Sequence, residues 1–567
     1  MVRKVTLFVA PAVVLGLLFT SRKAESLKVE PFCIEETTIS KMQEALKSHQ
    51  IISAELVKEY EARIAKFDKQ GPQINSVLEI NPDALATAVK LDIRALNPRL
   101  KRGPLYGIPI LVKDNIDTAD KLHTSAGTLG LANNIAPTDS FVAKKLREAG
   151  AIILGKANMT EYANFMSVGM PAGYSSLGGQ VLNPYALEVD SNGIPIVTPG
   201  GSSSGPGAAV TSNFTAAAIG TETSGSILSP SSANGVVGIK PTVGLISRAG
   251  IIPISASQDT AGPMARTVRD AAIVLGTLTG VDPNDSATSA SVGHSYTDYT
   301  QFLTPNGLVG ARIGVPRDPN DPTNNVYYGN LNSQQAAIMN AVIDKLKSLG
   351  ATIVEANIPT AGQVGGAGTT TTVPVTNIYS QLNGQTTEVS TVLLYEFKKG
   401  LNDYLATLAP TVQIKTLSDQ IAFNNANPTQ TLKFSQDLLV AADKTIGDLS
   451  ESEYAGARLL DLQTAKTNGI DAYMTEYKLD AILFPSNFGA SIAAKAGYPS
   501  VTVPAGFLTT AGKVNTPPYP FNETFTGTAF SEPTLLKFAY TYEQATQVRR
   551  APSNTPALRP ACAVSSP

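Results

Sequence analysis

The sequence predicts an α/β protein built in layers. Between residues 105 and 275, short apolar runs alternate with glycine-punctuated turns and with stretches of helical composition. This alternation is typical of folds in which helices cover a β-sheet. The chain has 567 residues, enough for two ordinary domains or for one large elaborated domain. We found no internal repeats, and we interpret residues 105–275 as one continuous core.

Within this core, the strand signals are short apolar runs next to glycines. They lie at Gly107–Val112, Ala151–Leu154 and Val236–Ile239. Two further stretches, Ser140–Ala149 and Ala208–Ile219, predict helices. The sequence therefore predicts a sheet whose strands are joined by helices.

Helical segments flank the core on both sides in the sequence. Residues 34–70 are predicted to be helical because Leu46, Ile51, Leu56, Tyr60 and Ile64 recur at roughly helical spacing. Residues 390–475 form a second, mostly helical region that we expect to cover the site as a cap. The remaining predicted elements are strands at Ala311–Val315, Ala351–Ile358, Leu479–Phe484 and Ser500–Val503, helices at Ser333–Leu349 and Pro533–Arg550, a Gly/Thr-rich loop at Ala361–Thr372 and a disordered tail at 551–567.

Composition excludes several classes of function. The net charge of −2 gives no electrostatic reason to expect nucleic acid or an anionic membrane as a partner. Three histidines, His49, His123 and His294, and two cysteines are too few for a typical zinc site. We therefore predict no metal or organic cofactor, with a carboxylate metal site as the open alternative, no nucleic-acid partner and no strong membrane association.

The N-terminus predicts a secretory signal over residues 1–26. A basic lead at Met1–Lys4 precedes an uncharged apolar stretch, Val5–Thr20, which is short for a membrane-spanning helix. An uncleaved signal-anchor and a buried N-terminal helix are the alternatives. Secretion would make Cys33 and Cys562 candidates for one disulfide, with two unrelated thiols as the alternative.

Four triplets match the acceptor pattern for N-glycosylation, and secretion would expose them to that modification. They begin at Asn158, Asn213, Asn284 and Asn522. We expect Asn158 and Asn213 to lie in packed segments, and Asn284 and Asn522 to lie in loops.

The strongest chemical signal is a pair of serine-rich segments with a lysine upstream. The segments are Pro199–Gly205 and Gly220–Ser226, and Lys113 ends the apolar run that begins at Gly107. An amide needs a nucleophile, a base that can return its proton to the departing nitrogen, and donors for the oxyanion. Two serines, a lysine and a loop of small residues offer all three without histidine. Each segment alone would more often be an ordinary polar turn or a solvated strand end.

These stretches resemble the amidase signature family of serine amidohydrolases. The family pattern GGSSGGS…GT(D/E)xGGS is similar to Gly200–Pro206 and Gly220–Ser226, and Lys113 stands in the family's G(I/V)PxxxKDN context. The resemblance implies Ser226 as nucleophile, Ser202 as the central serine next to a cis peptide, and Lys113 as base. It also implies an oxyanion hole formed by the backbone N–H groups of Thr223, Ser224, Gly225 and Ser226.

The resemblance also implies a fold and a domain organisation. We expect a mixed sheet sandwiched between helices, in a single amidase-signature domain over residues 27–550. That domain would comprise an N-terminal helical region at 35–100, a catalytic core at 104–275 and the helical cap at 390–475. The implied reaction is hydrolysis of a carboxamide in a small molecule or peptide, with release of ammonia or an amine.

The chain departs from the family pattern at several positions. Ser204, Pro206 and Ser224 replace small residues or glycine, and Leu228 stands where many members have arginine. Since Pro206 lacks an N–H group, it could alter the hydrogen bonds of its loop. Glu222 in place of aspartate, together with Leu228, favours the peptide amidase branch.

Two other functions compete with this interpretation. Gly201–Gly205 fits the G-x-S-x-G pattern of an esterase, which would make Ser203 the nucleophile and require His294 as its base. A partner-dependent protein that resembles the A-type subunit of an amidotransferase is the other alternative. The sequence does not specify the acyl group or the oligomeric state.

Overall fold

A mixed β-sheet runs through the protein. The computed structural model describes residues 32–321, 325–364, 377–382, 385–510 and 517–563, and eleven strands of the described part form this sheet. The strands are β1 (Val77–Ile80), β2 (Pro109–Lys113), β3 (Ile152–Ala157), β4 (Ala217–Glu222), β5 (Val237–Lys240), β6 (Thr260–Ala265), β7 (Arg312–Val315), β8 (Thr352–Glu355), β9 (Ala481–Pro485), β10 (Ser500–Leu508) and β11 (Tyr519–Thr526). Their order is β1-β3-β2-β4-β6-β5-β10-β11-β9-β7-β8.

Helices cover this sheet, as predicted. They are α1 (Ile39–Lys47), α2 (Ser53–Arg63), α3 (Ala84–Ala95), α4 (Phe141–Glu148), α5 (Ser204–Thr211), α6 (Leu228–Ala233), α7 (Val268–Leu278), α8 (Ser333–Ser348), α9 (Thr391–Ala406), α10 (Leu417–Ala426), α11 (Pro428–Thr431), α12 (Asp437–Asp443), α13 (Ser452–Asp461), α14 (Ala472–Tyr477), α15 (Ala490–Ala496) and α16 (Glu532–Thr546). Short hairpins at Tyr174–Gln180 and Asn377–Ser390 lie outside the main sheet.

Three neighbouring strands toward one end of the sheet, β3, β2 and β4, are parallel and buried on both faces. Strand β2 pairs in parallel with β3 and with β4, so the carboxyl ends of the three strands meet at one edge. Every residue of β2, β3 and β4 is buried. Fully covered parallel strands read as continuous apolar runs, and this is why Gly107–Val112 and Ala151–Leu154 were recognisable as strands.

The predicted helix at Ala208–Ile219 is wrong in its second half. Helix α5 ends at Thr211, Asn213 adopts a left-handed conformation with φ of 56°, and Ala217 begins strand β4. The alanines at 216–218 have high helix propensity, but pairing with β2 and β6 on either side overrides it. The same tertiary pairing explains why β6 and β11 gave no recognisable strand signal.

The helical region at 390–475 packs on one side of the core. An apolar cluster joins α9, α10 and α12 to core residues that include Tyr162, Phe165 and Ile254. Tyr162 and Phe165 contact the ring of Phe397, with centroids 6.0 and 4.6 Å apart. The loop predicted at Ala361–Thr372 begins with a short 3₁₀ helix at Ala361–Gln363, and the rest of it lies outside the described residues from 365 onward.

The expectation of a disordered tail is wrong for residues 551–563. Cys562 forms a disulfide with Cys33 across a sequence separation of 529 residues. The buried guanidinium of Arg63 donates hydrogen bonds to the carbonyls of Thr555 and Pro556, at 2.8 and 2.9 Å, and pairs with Glu35. These contacts hold the two ends of the described chain against helix α2, which composition alone could not indicate.

The apolar stretch Val5–Thr20 lies outside the described residues, so the predicted signal segment has no structural counterpart here. In the part of the chain that the structure describes, no helix combines the length and the apolar character needed to cross a bilayer.

We expect the disulfide to stabilise the fold without taking part in catalysis. A Cys33→Ser/Cys562→Ser double variant should lose about 2–5 kcal/mol of unfolding free energy, because its unfolded chain is no longer cross-linked. The measurement is thermal unfolding of the wild type, the double variant and the reduced wild type. A double variant with an unchanged Tm would contradict this role, and kcat on a small amide should remain near the wild-type value.

Candidate active site

The two serine segments and the lysine meet at the carboxyl edge of β2 and β4. Lys113 is the last residue of β2, and Thr221 and Glu222 end β4. Ser202 and Ser203 lie just before helix α5, and Ser226 lies in the turn between β4 and α6. Because β2 and β4 are parallel neighbours in register, the segments that follow them are brought side by side.

Lys113 is completely buried and hydrogen-bonded to neutral oxygens. Its Nζ lies 2.8 Å from Ser202 Oγ, 2.8 Å from Thr221 Oγ1 and 3.3 Å from the Thr221 carbonyl oxygen. The side-chain amide of Asn115 donates to the same Thr221 hydroxyl at 3.1 Å. In the described residues no carboxylate lies within ion-pairing distance of the Lys113 ammonium group.

This environment favours the neutral amine. Burial lowers the pKa of Lys113 to about 7, and the more distant carboxylates of Asp259 and Glu222 only partly oppose that shift. Burial also raises the pKa of Asp259 to about 6, against hydrogen bonds from Thr223 and from the backbone of Ser255 and Ile254. A large fraction of Lys113 is therefore available as a base near neutral pH.

Ser202 connects Lys113 to the second serine segment. The Gly201–Ser202 peptide is cis, as the family resemblance implied. The Ser202 carbonyl accepts from Thr160 N at 3.1 Å, and Ser203 N donates to the Ser226 carbonyl at 3.1 Å. This last bond places the Ser202–Ser203 backbone directly beside Ser226, so the structure brings Lys113, Ser202 and Ser226 into one neighbourhood.

Ser226 is not engaged by other side chains. Its residue retains 5% exposure, and its hydroxyl makes no hydrogen bond with the described residues. By contrast, the neighbouring Ser203 hydroxyl is completely buried and bonded to both the carbonyl and the N–H of Thr221. Of these two hydroxyls, only that of Ser226 is open to a substrate.

The turn before Ser226 presents unused backbone donors. Among the described residues, the N–H groups of Ser224, Gly225 and Ser226 donate to no protein acceptor. The Glu222 carboxylate holds the far side of the turn by accepting from Ile227 N at 2.7 Å and Leu228 N at 2.9 Å. Gly225 takes φ of 84°, a conformation that a side chain would strain. Unpaired N–H groups in the turn that carries the Ser226 hydroxyl are available as donors to an oxyanion.

Three groups of this site were not predicted as functional from the sequence. Thr221 contacts the Lys113 ammonium group, Asn115 donates to the Thr221 hydroxyl, and Asp259 accepts from the Thr223 hydroxyl at 2.5 Å. Thr221 and Asn115 belong to the runs that resembled the family pattern. The contacts among these groups join β2, β4 and the loop before β6, which are far apart in the sequence, so sequence spacing could not predict them.

The 160s loop forms one wall beside Ser202, and the cap helices hold it there. Tyr162 and Asn164 adopt left-handed conformations with φ of 45° and 75°. The Tyr162 hydroxyl donates to Gln420 on α10 at 2.8 Å, and Ser167 donates to Asp437 on α12 at 2.5 Å. Asn164 is exposed and lies near Gly201, where it can meet a substrate.

A cavity of about 210 Å³ opens next to this centre. Thr221, Thr223 and Asn115 line it on the side of Lys113, and much of its wall is the apolar segment Ile251–Ile254. Arg248 and Asp285, which form an ion pair at 2.6 Å, also line it. Ser226 does not line this cavity, so the cavity lies beside Thr221 and Thr223 and does not include the predicted nucleophile.

The structure does not assemble the esterase alternative. His294 stacks on Phe530 with ring centroids 4.9 Å apart, and in the described residues it makes no contact with Ser203. Pro206, which lacks an N–H group, removes no hydrogen bond of helix α5. It is the third residue of α5, in the first turn, where backbone N–H groups have no acceptor within the helix.

Comparison with known proteins agrees with this geometry. The sequence profile of the Amidase family matches residues 55–536. A protein of Arabidopsis thaliana named as a probable amidase is 38% identical over 525 residues, covering 92% of each chain. The crystal structure of a peptide amidase from Stenotrophomonas maltophilia is 39% identical, with a TM-score of 0.77, covering 91% of this chain and 98% of that one.

The A-type subunit of the glutamyl-tRNA(Gln) amidotransferase from Pseudomonas aeruginosa matches less of the chain. It is 39% identical over 328 residues, which are 58% of this chain and 61% of that protein. The probable amidase and the peptide amidase thus match over more than nine-tenths of this chain, whereas the match to the P. aeruginosa amidotransferase subunit is partial. The chain belongs to the amidase family, and it is an amide-hydrolysing enzyme.

Proposed function

We propose that Ser226, Ser202 and Lys113 form a Ser–cisSer–Lys triad that hydrolyses a carboxamide through an acyl-enzyme. The observation that carries this proposal is the 2.8 Å contact between Lys113 Nζ and Ser202 Oγ. That contact joins Ser202 to a buried amine, and the backbone bond from Ser203 N to the Ser226 carbonyl oxygen supports Ser226 as the neighbouring nucleophile. The adjoining N–H groups of Ser224, Gly225 and Ser226 supply the oxyanion site, with Thr223 at the start of the turn.

The proton follows this line of groups. As Ser226 Oγ attacks the amide carbon, its proton passes to Ser202 Oγ, and the Ser202 proton passes to neutral Lys113. The carbonyl oxygen becomes an oxyanion held by the backbone donors. Reversal of the relay protonates the departing nitrogen, which leaves as ammonia or an amine. A water molecule then attacks the acyl-enzyme by the same relay, and the acid is released.

Lysine can serve as the base only because the site is dry. In water its pKa of roughly 10.4 would keep almost every molecule protonated at neutral pH. Here burial brings the pKa of Lys113 to about 7, so deprotonation costs little at neutral pH. The neutral partners of its Nζ make this possible, because a bonded carboxylate would stabilise the charged form instead.

We propose small-molecule and peptide amides as the substrates. The S. maltophilia neighbour is named as a peptide amidase. The cavity beside Thr223 is mostly apolar along Ile251–Ile254, which suits an uncharged side chain or acyl group. The nearby ion pair of Arg248 and Asp285 is already satisfied internally, so it offers little to a charged substrate.

Replacing the nucleophile provides the first test. Ser226→Ala should abolish turnover and labelling by a serine-directed phosphonate, with the fold intact, because Ser226 supplies the hydroxyl that the proposed relay deprotonates for attack. The measurement is mass spectrometry of the labelled protein together with a steady-state assay.

Ser203→Ala is the matched control for that experiment. The Ser203 hydroxyl donates to the carbonyl of Thr221 and accepts from its N–H group. Ser203→Ala should therefore lose some stability and still be labelled at Ser226. Labelling that persists in Ser226→Ala and disappears in Ser203→Ala would establish the esterase arrangement instead.

The pH profile provides the second test. Since Lys113 must be neutral to accept a proton, kcat/KM should rise with pH through about pH 7 and then level off. Lys113→Ala should lower kcat by roughly 10²–10⁴-fold. The loss should be larger for an amide than for an ester of the same acid, because an alkoxide departs with less help from a proton.

His294→Ala is the control for the base. Its ring contacts Phe530, away from the triad, so kcat/KM should stay within a few-fold of the wild-type value. A collapse of activity in His294→Ala, with a mild effect of Lys113→Ala, would overturn the proposed relay.

We also propose that the protein enters the secretory pathway. The basic lead and the Val5–Thr20 run motivate this, and the Cys33–Cys562 disulfide fits an oxidising compartment. Of the four glycosylation triplets, Asn158, Asn213 and Asn522 have buried, hydrogen-bonded amides, so Asn522 is not the loop position that the sequence predicted. Asn284 is exposed and is the acceptor that we propose.

Natively expressed protein tests this proposal directly. N-terminal sequencing should show loss of roughly the first 20–26 residues. A glycan, if added, should be found at Asn284 and should be lost in Asn284→Gln. An intact Met1 on protein recovered from the cytosol would contradict the secretory route.

A further inference from the structure

Helix α3 carries a row of apolar side chains that the fold leaves uncovered. Val89, Ile93 and Leu96 recur at helical spacing on and just after α3, and they are 43, 63 and 74% exposed. Ile52, before helix α2, is 42% exposed. A groove of about 260 Å³ lined by Ile52, Val89, Ile93 and Leu96 joins them into one surface.

Cations surround this surface. Lys90 and Arg94 follow Val89 and Ile93 on α3, and Arg102 lines the groove. Further exposed cations are Lys47, Arg99 and Lys101. In the described part of the chain, Lys47, Lys90, Arg94, Arg99 and Lys101 have no carboxylate within ion-pairing distance. We call these cations and the four apolar side chains the basic apolar patch.

The acidic groups nearby, Asp92, Glu55 and Glu44, are outnumbered by the six cations of this surface. Asp92 is half-buried and lines the groove, where it accepts from the backbone N–H groups of Ser53 and Ala54 at 2.8 and 2.9 Å. Glu55 accepts from Ile52 N at 3.1 Å, and Glu44 is exposed on α1. The patch therefore has an excess of positive charge, although the whole chain has a net charge of −2.

We propose that the basic apolar patch docks the enzyme on an anionic lipid surface. Ile93 and Leu96 protrude from the protein, so they can enter the apolar boundary of a bilayer while the flanking cations meet lipid phosphates and carboxylates. A second copy of this chain is a poorer occupant, because joining two such patches brings like charges together. An acidic protein would also complement the charge of the patch, but it is a poorer occupant, because protruding Ile93 and Leu96 fit the apolar boundary of a bilayer better than a polar protein surface.

Vesicle binding of the full chain tests the proposal. The wild type should bind vesicles of phosphatidylcholine with phosphatidylserine roughly tenfold more strongly than phosphatidylcholine alone, and added NaCl should reduce the binding. Ile93→Asp/Leu96→Asp should reduce binding at least tenfold. Lys90→Gln/Arg94→Gln, which leaves the apolar row intact, should reduce binding to the anionic vesicles and bring it near that for phosphatidylcholine.

Leu459→Asp is the matched control, since Leu459 is 55% exposed on helix α13, outside the patch. It should bind as the wild type does, and all variants should keep wild-type hydrolysis of a small amide. Equal binding to both vesicle types, or full binding by Ile93→Asp/Leu96→Asp, would overturn the proposal. So would binding to polyglutamate without binding to anionic vesicles, which would indicate an acidic macromolecule.

Discussion

The burial of a single ammonium group among neutral oxygens is the constraint on which the site depends. Lys113 Nζ has hydroxyl and carbonyl partners from Ser202 and Thr221 and no bonded carboxylate in the described residues. A buried charge without a counter-ion is costly, so the group is driven toward its neutral form. The rest of the site then has to keep water and carboxylates away from this nitrogen while leaving Ser202 in reach.

Strands β2 and β4 keep water away from the Lys113 nitrogen. Because β2 and β4 are parallel neighbours and buried on both faces, their ends lie in a dry layer and not at a solvated edge. Glu222 follows Thr221 directly, yet its carboxylate points to the N–H groups of Ile227 and Leu228. One residue of the strand thus binds the lysine while its neighbour shapes the turn that carries Ser226. Alternation of side chains along β4 separates the acid from the base.

The sequence predicted the layered fold and strands β2, β3 and β5 because each of these has a local signature. The assignment of Lys113, Ser202 and Ser226 to one site came from the resemblance to the amidase signature family. The sequence could not predict contacts that depend on pairing between distant segments. The start of strand β4 was predicted as helix because its alanines favour a helix locally. Asn522 was predicted to lie in a loop, although it belongs to β11 and pairs with Pro504 of β10. The candidate disulfide of Cys33 and Cys562 is confirmed, but the order of residues 551–563 was not predicted, because Arg63 lies 492 residues before its partner Thr555.

Charge shows the same limit in another form. A net charge of −2 gave no reason to expect an anionic partner, but a sum over the chain carries no information on position. On helix α3 the half-buried Asp92 caps helix α2, whereas Lys90 and Arg94 are exposed, so the exposed face of this helix carries more positive than negative charge. The buried site shows the inverse arrangement, with Glu222 and Asp259 near Lys113 and bonded elsewhere. In both places, hydrogen bonds fix the positions of the carboxylates, and those positions set the local distribution of charge.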